Sequence, residues 1–192
     1  MTNLITKTTE LAMAITLEYV SSGDTVIDAT CGTGQDTENL AEAVGDEGRV
    51  YAFDIQEKAL ELTEERLRAH ELTNVGLVKD TFANIGDYLP ENSAAAAVFN
   101  LGYLPGGDHS ITTEAEETLE GLKAALKAIR PGGILTVVLY DGHEEGQKEK
   151  KCVLEWARRL DPKGYHAVFA NMLNQNNHPP EILWITKKQA GV

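Results

Sequence analysis

Short apolar blocks alternate along the chain with longer stretches in which apolar residues recur every three or four positions. The blocks read as strands buried on both faces of a parallel sheet, and the periodic stretches as helices laid across it. Strand blocks are Thr25–Ile27, Arg49–Phe53, Val75–Val78, Ser93–Asn100 and Ile134–Leu139. Helices are predicted over Leu4–Val20, on Leu4, Leu11, Ala14, Ile15 and Leu17, and over Asp36–Val44 and Gln56–His70. Ile85–Leu89 reads as a connection ending at Pro90. Thr112–Arg130 is a further helix, with Thr113 and Glu116 placed as a capping box and a stripe of Leu119, Leu122, Leu126 and Ile129. Pro131, Gly132 and Gly133 stop it. After a helix over Glu145–Leu160, Ala167–Leu173 and Ile182–Lys187 follow one another with no helix between them. Such a pair makes an antiparallel hairpin. The pattern predicts one α/β domain over residues 1–192, a mostly parallel seven-stranded sheet with a C-terminal antiparallel hairpin and helices on both faces.

The first strand runs into Asp28–Thr37, where Gly32 and Gly34 allow a tight turn and close backbone approach to a ligand. Strand, glycine turn and helix start form the nucleotide corner of an open α/β sheet. A dinucleotide fingerprint would place a third glycine or alanine where Thr37 stands. Asp28, at the strand end, would repel a pyrophosphate and suits a cationic ligand instead. This D-x-x-x-G-x-G arrangement resembles motif I of the class I S-adenosylmethionine (SAM)-dependent methyltransferases, whose cofactor carries an amine and a sulfonium. Cys31, inside the turn, is either a small packing residue or a nucleophile.

Asp54 ends the second strand about 20 residues past the glycines, where such folds place an acid on ribose hydroxyls. The alternative is an acid serving the N-terminus of the next helix. Asp80 and Thr81 follow the third strand, as adenine contacts or as ordinary turn residues. The fourth strand runs into Asn100–His109, with three glycines and a proline, a shaped loop at the ligand edge. Asn100 and Tyr103 stand at the first and aromatic positions of the N/D-P-P-Y/F motif of amino-group methyltransferases, with Leu101 and Gly102 in place of the prolines.

Charge changes the picture in one respect. The net charge of −13 opposes nucleic-acid binding except through a local basic face. Lys148, Lys150, Lys151, Arg158, Arg159 and Lys163 offer one, or else simply a solvated helix face. Cys31 and Cys152 lack metal-ligand spacing, and no apolar run approaches a membrane span. A cytoplasmic protein with no membrane partner is expected.

Together the stretches 28–37, 100–109, 131–133, 140–143 and the N-x-P-P near the end resemble the bacterial family labelled rRNA methylase, also called YtqB or MnmM. The resemblance implies a Rossmann-like class I methyltransferase that methylates the 5-aminomethyl group of (2-thio)uridine at the tRNA wobble position. It implies SAM as cofactor and the tRNA anticodon loop as partner. The cofactor set it implies begins with Asp28, Thr30, Cys31, Gly32, Gly34, Gln35, Asp36 and Thr37. Asp54, Ile55 and Gln56 continue it at the second strand end, and Asp80, Thr81, Asn100 and Leu101 complete it. Asn100, Tyr103, Tyr140 and His143 are the catalytic candidates, with His143 either a base or structural and the tyrosines either flanking the acceptor or packing. An rRNA methyltransferase, a small-molecule amine methyltransferase and a non-catalytic SAM-binding module stay open as alternatives. A nicotinamide oxidoreductase is disfavoured by Asp28, Thr37 and the terminal hairpin. A homodimer is possible.

Overall fold

The structure, a computed structural model, describes residues 7–102, 115–142, 144–175 and 177–189. Strands β1 (Thr25–Asp28), β2 (Arg49–Phe53), β3 (Val75–Val78), β4 (Ala94–Leu101), β5 (Ile129–Leu139), β6 (Tyr165–Ala170) and β7 (Glu181–Lys187) form one sheet. Its order is β3-β2-β1-β4-β5-β7-β6; the first five strands are parallel, and β7 lies antiparallel to β5 and β6. The helices are α1 (Thr8–Leu17), α2 (Gln35–Val44), α3 (Glu57–Ala69), the single-turn α4 (Ile85–Tyr88), α5 (Ala115–Ala128) and α6 (Glu144–Arg158). The alternation of apolar blocks and periodic stretches had predicted this mixed sheet and its closing hairpin.

Successive strand residues face opposite sides of a sheet, and the core divides accordingly. Ile27, Phe53, Phe99 and Leu135 pack with Leu122 and Leu126 of α5 and Val153 of α6. Their neighbours Val26, Val98 and Ile134, with Val50, pack with Leu40 and Val44 of α2 and Met13 of α1. The chain steps outward from β1 to β3 and then returns to β4 on the other side of β1. Connections therefore diverge beyond the carboxyl ends of β1 and β4, which opens a crevice there.

Four boundaries differ from the sequence pattern. The strand begins at Ile129, so Ile129 belongs to β5 and not to the helical stripe. Arg130 forms a bidentate pair with Asp24 (2.6 and 2.9 Å), and a Cβ on Gly133 would lie 2.4 Å from the Ala95 carbonyl oxygen. These contacts hold 129–133 extended against β4. In α1 the buried face is Thr8, Ala12, Met13 and Thr16, while Ile15 is 38% exposed. Thr16 Oγ1 bonds the Ala12 carbonyl (2.8 Å) and Thr136 Oγ1 of β5 (2.6 Å), a polar pairing that an apolar count misses. The connection expected over Ile85–Leu89 holds α4, preceded by a 3-10 turn (Phe82–Asn84), with Phe82 seated against Phe99 and Tyr88 against Phe53. β6 runs Tyr165–Ala170 and stops short of Leu173, because its pairing with β7 ends at Ala170↔Ile182. The capping box at Thr113 and the helix start at Leu4 fall outside the described residues.

Lys187, at the end of β7, reaches the last carbonyls of α5. Its ammonium donates to Leu126 O (3.2 Å), Ile129 O (2.8 Å) and Asn92 Oδ1 (2.9 Å). Lys187→Met keeps the stem and strips these acceptors of their donor, so urea denaturation should register a loss of about 1–3 kcal/mol.

Candidate active site

β1 ends on Asp28, whose side chain is fully buried beneath the following turn. Thr37 Oγ1 donates to Asp28 Oδ2 (2.6 Å) and the Thr30 N–H to Oδ1 (3.2 Å). Burial first, and the nearby Asp36 second, nevertheless push its pKa up to about 7. Gly32 and Gly34 carry φ of 55° and 80°. A Cβ on Gly34 would sit 2.9 Å from the Thr63 Cα, so this left-handed turn is closed to any larger residue. Cys31 is buried, and burial and the Asp28 charge drive its thiol well above the ordinary range. It is a packing residue.

Asp54, past the end of β2, faces the same turn. Its Oδ2 accepts the Gly32 N–H (3.1 Å) and its Oδ1 the Gln56 N–H (3.0 Å), so the carboxylate is oriented by backbone on both sides. Burial raises its pKa. Each oxygen retains lone-pair capacity for a further donor. Ile55, next in the chain, presents exposed apolar surface at the rim.

The third strand end behaves differently. Asp80 Oδ1 accepts the Thr81 N–H (2.8 Å) and Asn84 Nδ2 (2.9 Å), and Oδ2 accepts the Tyr88 hydroxyl (2.9 Å). Thr81 Oγ1 accepts the Ala83 N–H and donates to Glu117. Both residues thus tie the 3-10 turn and α5 to the end of β3, and these bonds hold Asp80 below the usual carboxylate range, that from Tyr88 most of all.

The structure joins Asn100 to the glycine turn. Its backbone N–H donates to Thr30 Oγ1 and its side-chain Nδ2 to Asp36 Oδ2, both at 2.8 Å. Burial raises the Asp36 pKa and the Asn100 bond opposes that rise. Asn100 Nδ2 is thus committed, and its Oδ1 accepts no hydrogen bond among the described contacts. Leu101, beside it, is buried in the core beneath. Tyr140 follows β5 and packs near Gly102, where a Cβ would meet its ring at 3.7 Å. Partial desolvation, then the Asp36 charge, raise its pKa. Gln35 and Asp36 open α2 behind Gly34. Tyr103 and His143 lie outside the described residues.

The acceptor set fits a cationic nucleoside derivative. Asp28, Asp36 and Asp54 surround a turn that only glycine permits, and no cation of this chain is paired with any of the three among the described contacts.

Residues 50–186 match the family model described as putative rRNA methylase. The chain belongs to that family. A solved member, the putative rRNA methylase of Clostridium thermocellum, superimposes with a TM-score of 0.91 at 42% identity, covering 94% of this chain and 97% of that one. A putative methyltransferase of Streptococcus mutans, solved in complex with SAH, gives 0.86 at 36% identity over 94% and 98% of the two chains. Among curated proteins, the chloroplastic tRNA (mnm(5)s(2)U34)-methyltransferase of Arabidopsis thaliana is 38% identical over 179 residues, 88% of this chain and 65% of its own length. The chain spans a smaller share, 44%, of a demethylmenaquinone methyltransferase of Geobacillus stearothermophilus.

Two features of this rRNA methylase family member escaped the sequence. Asp36 was placed with the cofactor, and its bond to Asn100 joins residues 64 apart, which no local spacing reveals. The basic stretch is partly spent: Lys148 pairs with Glu144 (2.7 Å), and Lys150 pairs with Asp141 (2.8 Å) and Glu181. Lys151, Arg158, Arg159 and Lys163 are exposed cations of that stretch, and none of them is in an ion pair among the described contacts.

Proposed function

We propose that this protein is a SAM-dependent N-methyltransferase that methylates the 5-aminomethyl group of (2-thio)uridine at the tRNA wobble position. The observation that carries this reading is the Asn100 side chain, fixed by Asp36 at the switch-point crevice with its carbonyl oxygen left for an amine. The relative acting on mnm(5)s(2)U34, at 38% identity, supports the acceptor, and the SAH-bound neighbour supports the cofactor.

SAM supplies a methyl group on a positively charged sulfonium. Asp28 and Asp36 would offset that charge, Asp54 would receive the ribose hydroxyls, and Ile55, Gln56, Asp80 and Thr81 would hold the adenine. Asn100 Oδ1 accepts from the substrate nitrogen and aims its lone pair along the axis of displacement. Alignment of this kind supplies roughly 7–11 kcal/mol of a barrier. The nitrogen must be neutral to attack, and partial burial beside Tyr140 disfavours its ammonium form. Bound SAM would supply the methyl group to the neutral amine, leaving a neutral thioether and one proton for the amine to release to solvent. Asp54→Ala should weaken SAM binding by about 1–3 kcal/mol through the lost charge-assisted bonds, read by calorimetry.

Phosphates of the anticodon loop rest on Lys151, Arg158 and Arg159, and the splayed wobble base enters beside Tyr140. Charge reversal at Lys151 and Arg158 should raise the KM for tRNA with SAM affinity unchanged; Lys150 is unsuited to this test because its loss would leave Asp141 and Glu181 unpaired. The protein works in the cytoplasm, a reading supported by two free cysteines, and among the described residues no helix is long and apolar enough to cross a membrane. It is a homodimer joined along β6, an edge strand exposing Val168 (56%) and Phe169 (40%) on opposite faces. Val168→Asp should then shift sedimentation to the monomer.

The deciding assay incubates the protein with SAM and tRNA bearing 5-aminomethyl-2-thiouridine, followed by nucleoside mass analysis. A gain of one methyl on that nucleoside is expected, with rates that fall steeply with salt. A gain on rRNA, or salt-insensitive turnover of a free amine, would replace the tRNA assignment.

A further inference from the structure

The glycine turn is held from outside by a residue that no motif marks. Arg66, in the last turn of α3, crosses to the turn and to α2 at once. Its Nε donates to the Thr33 carbonyl (2.9 Å), and its Nη1 donates to Gln35 Oε1 (3.1 Å) and Glu38 Oε2 (2.7 Å). One helical turn earlier, Thr63 Oγ1 donates to the Gly32 carbonyl (3.3 Å), and the Thr63 backbone is what forbids a side chain at Gly34. The far side of Glu38 is occupied too, since His70 Nδ1 lies 3.0 Å from Oε1.

The arrangement has a direction. Carbonyls of Gly32 and Thr33 are drawn outward to α3, while the Gly32 N–H points the other way, to Asp54. A two-glycine turn has wide conformational freedom when unbound, and ordering it is an entropic cost that a ligand must otherwise meet on binding. Arg66 is suited to the task because its planar fork places several donors in fixed relation, which a lysine cannot reproduce. Glu38 is 7% exposed and without Arg66 would keep only His70 beside its buried charge, so the pair also anchors the first turn of α2. Arg68, two residues on, pairs only with the exposed Glu64 on its own helix and touches nothing of the turn among the described contacts.

We propose that Arg66 is a positioning residue for the cofactor, preorganising the glycine turn for SAM by holding Thr33, Gln35 and Glu38 together from α3. The inference rests on the reading that this turn holds SAM. Its test is calorimetric titration of SAH into the full-length wild type and the variants Arg66→Ala, Arg66→Lys, Arg68→Ala and Asp54→Ala, with the ligand-free melting temperature of each. Arg66→Ala should weaken SAH at least tenfold, Arg66→Lys at least threefold, and Arg68→Ala less than threefold. Retention of SAH affinity within threefold in Arg66→Ala, even with a lowered melting temperature, overturns the proposal, because the clamp would then serve stability alone. Should Arg66→Ala fail to fold, Arg66→Lys decides by the same threefold line. Wild type that binds no SAH, or Asp54→Ala that binds it undiminished, would sink the placement of the cofactor itself. Weakening in Asp54→Ala but not in the Arg66 variants would sink only the clamp.

Discussion

Asn100→Ala is expected to lower turnover by about a hundredfold or more while SAM affinity stays within about threefold of wild type. The backbone of Asn100 is fixed independently of its side chain, through its N–H to Thr30 Oγ1, so truncation leaves the end of β4 in place. What is lost is the carbonyl oxygen that receives the substrate amine, together with the Nδ2 donor that Asp36 accepts. Removing one preorganised polar group from a reacting centre typically costs 10²–10³ in kcat, the scale expected here. The cofactor acids Asp28 and Asp54 keep their own partners at Thr37, Thr30, Gly32 and Gln56, so binding of SAM should survive. Steady-state rates on 5-aminomethyl tRNA, paired with SAH titration, check both halves. A variant that keeps more than a tenth of its activity would remove Asn100 from the acceptor site.

The architecture was legible because its signals are local. Glycines after a strand, a carboxylate at each of the first three strand ends and a terminal pair of strands without an intervening helix each need only a few consecutive residues. Asp28, Asp54 and Asn100 were found in this way, and the structure brings them to one crevice. What was not legible is what depends on contacts across the chain. The Thr16–Thr136 bond turns α1 away from its apolar stripe, and it joins residues 120 apart. Arg66 carries no motif at all, since its partners lie 28 to 33 residues away and include a backbone carbonyl that any residue would offer. That the basic stretch is partly spent was hidden for the same reason: Glu181, which pairs with Lys150, comes from β7. Asp80 was singled out by its place at a strand end, yet its oxygens are engaged by Thr81, Asn84 and Tyr88, partners whose convergence depends on the turn that Phe82 seats.

Asp28 should make both stability and cofactor affinity depend on pH, in opposite senses. Its carboxyl titrates near 7 in the fold against 3.8 for the free group, because burial and the neighbouring Asp36 and Asp54 charges outweigh the bonds from Thr37 and Thr30. The folded protein therefore holds a proton that the unfolded chain releases between about pH 4 and pH 7. Its contribution to stability is fully present below pH 4 and is lost as pH rises through 7. A shift of this size corresponds to about 4 kcal/mol. Asp36 and Asp54 are raised as well and slope the same way, so Asp28→Asn should flatten only part of the fall in melting temperature seen without ligand. The ionised form is the one that suits the cofactor's positive charges. SAH, which keeps the ammonium, should bind more tightly as pH rises from 6 to 8, with proton release detectable as a dependence of the binding heat on buffer ionisation. In Asp28→Asn the group is neutral throughout, so affinity should be weaker at pH 8 and nearly flat with pH. A wild type whose SAH affinity does not change between pH 6 and 8 would show that Asp28 keeps one ionisation state on binding, which would overturn its role as the acid that answers the cofactor's charge.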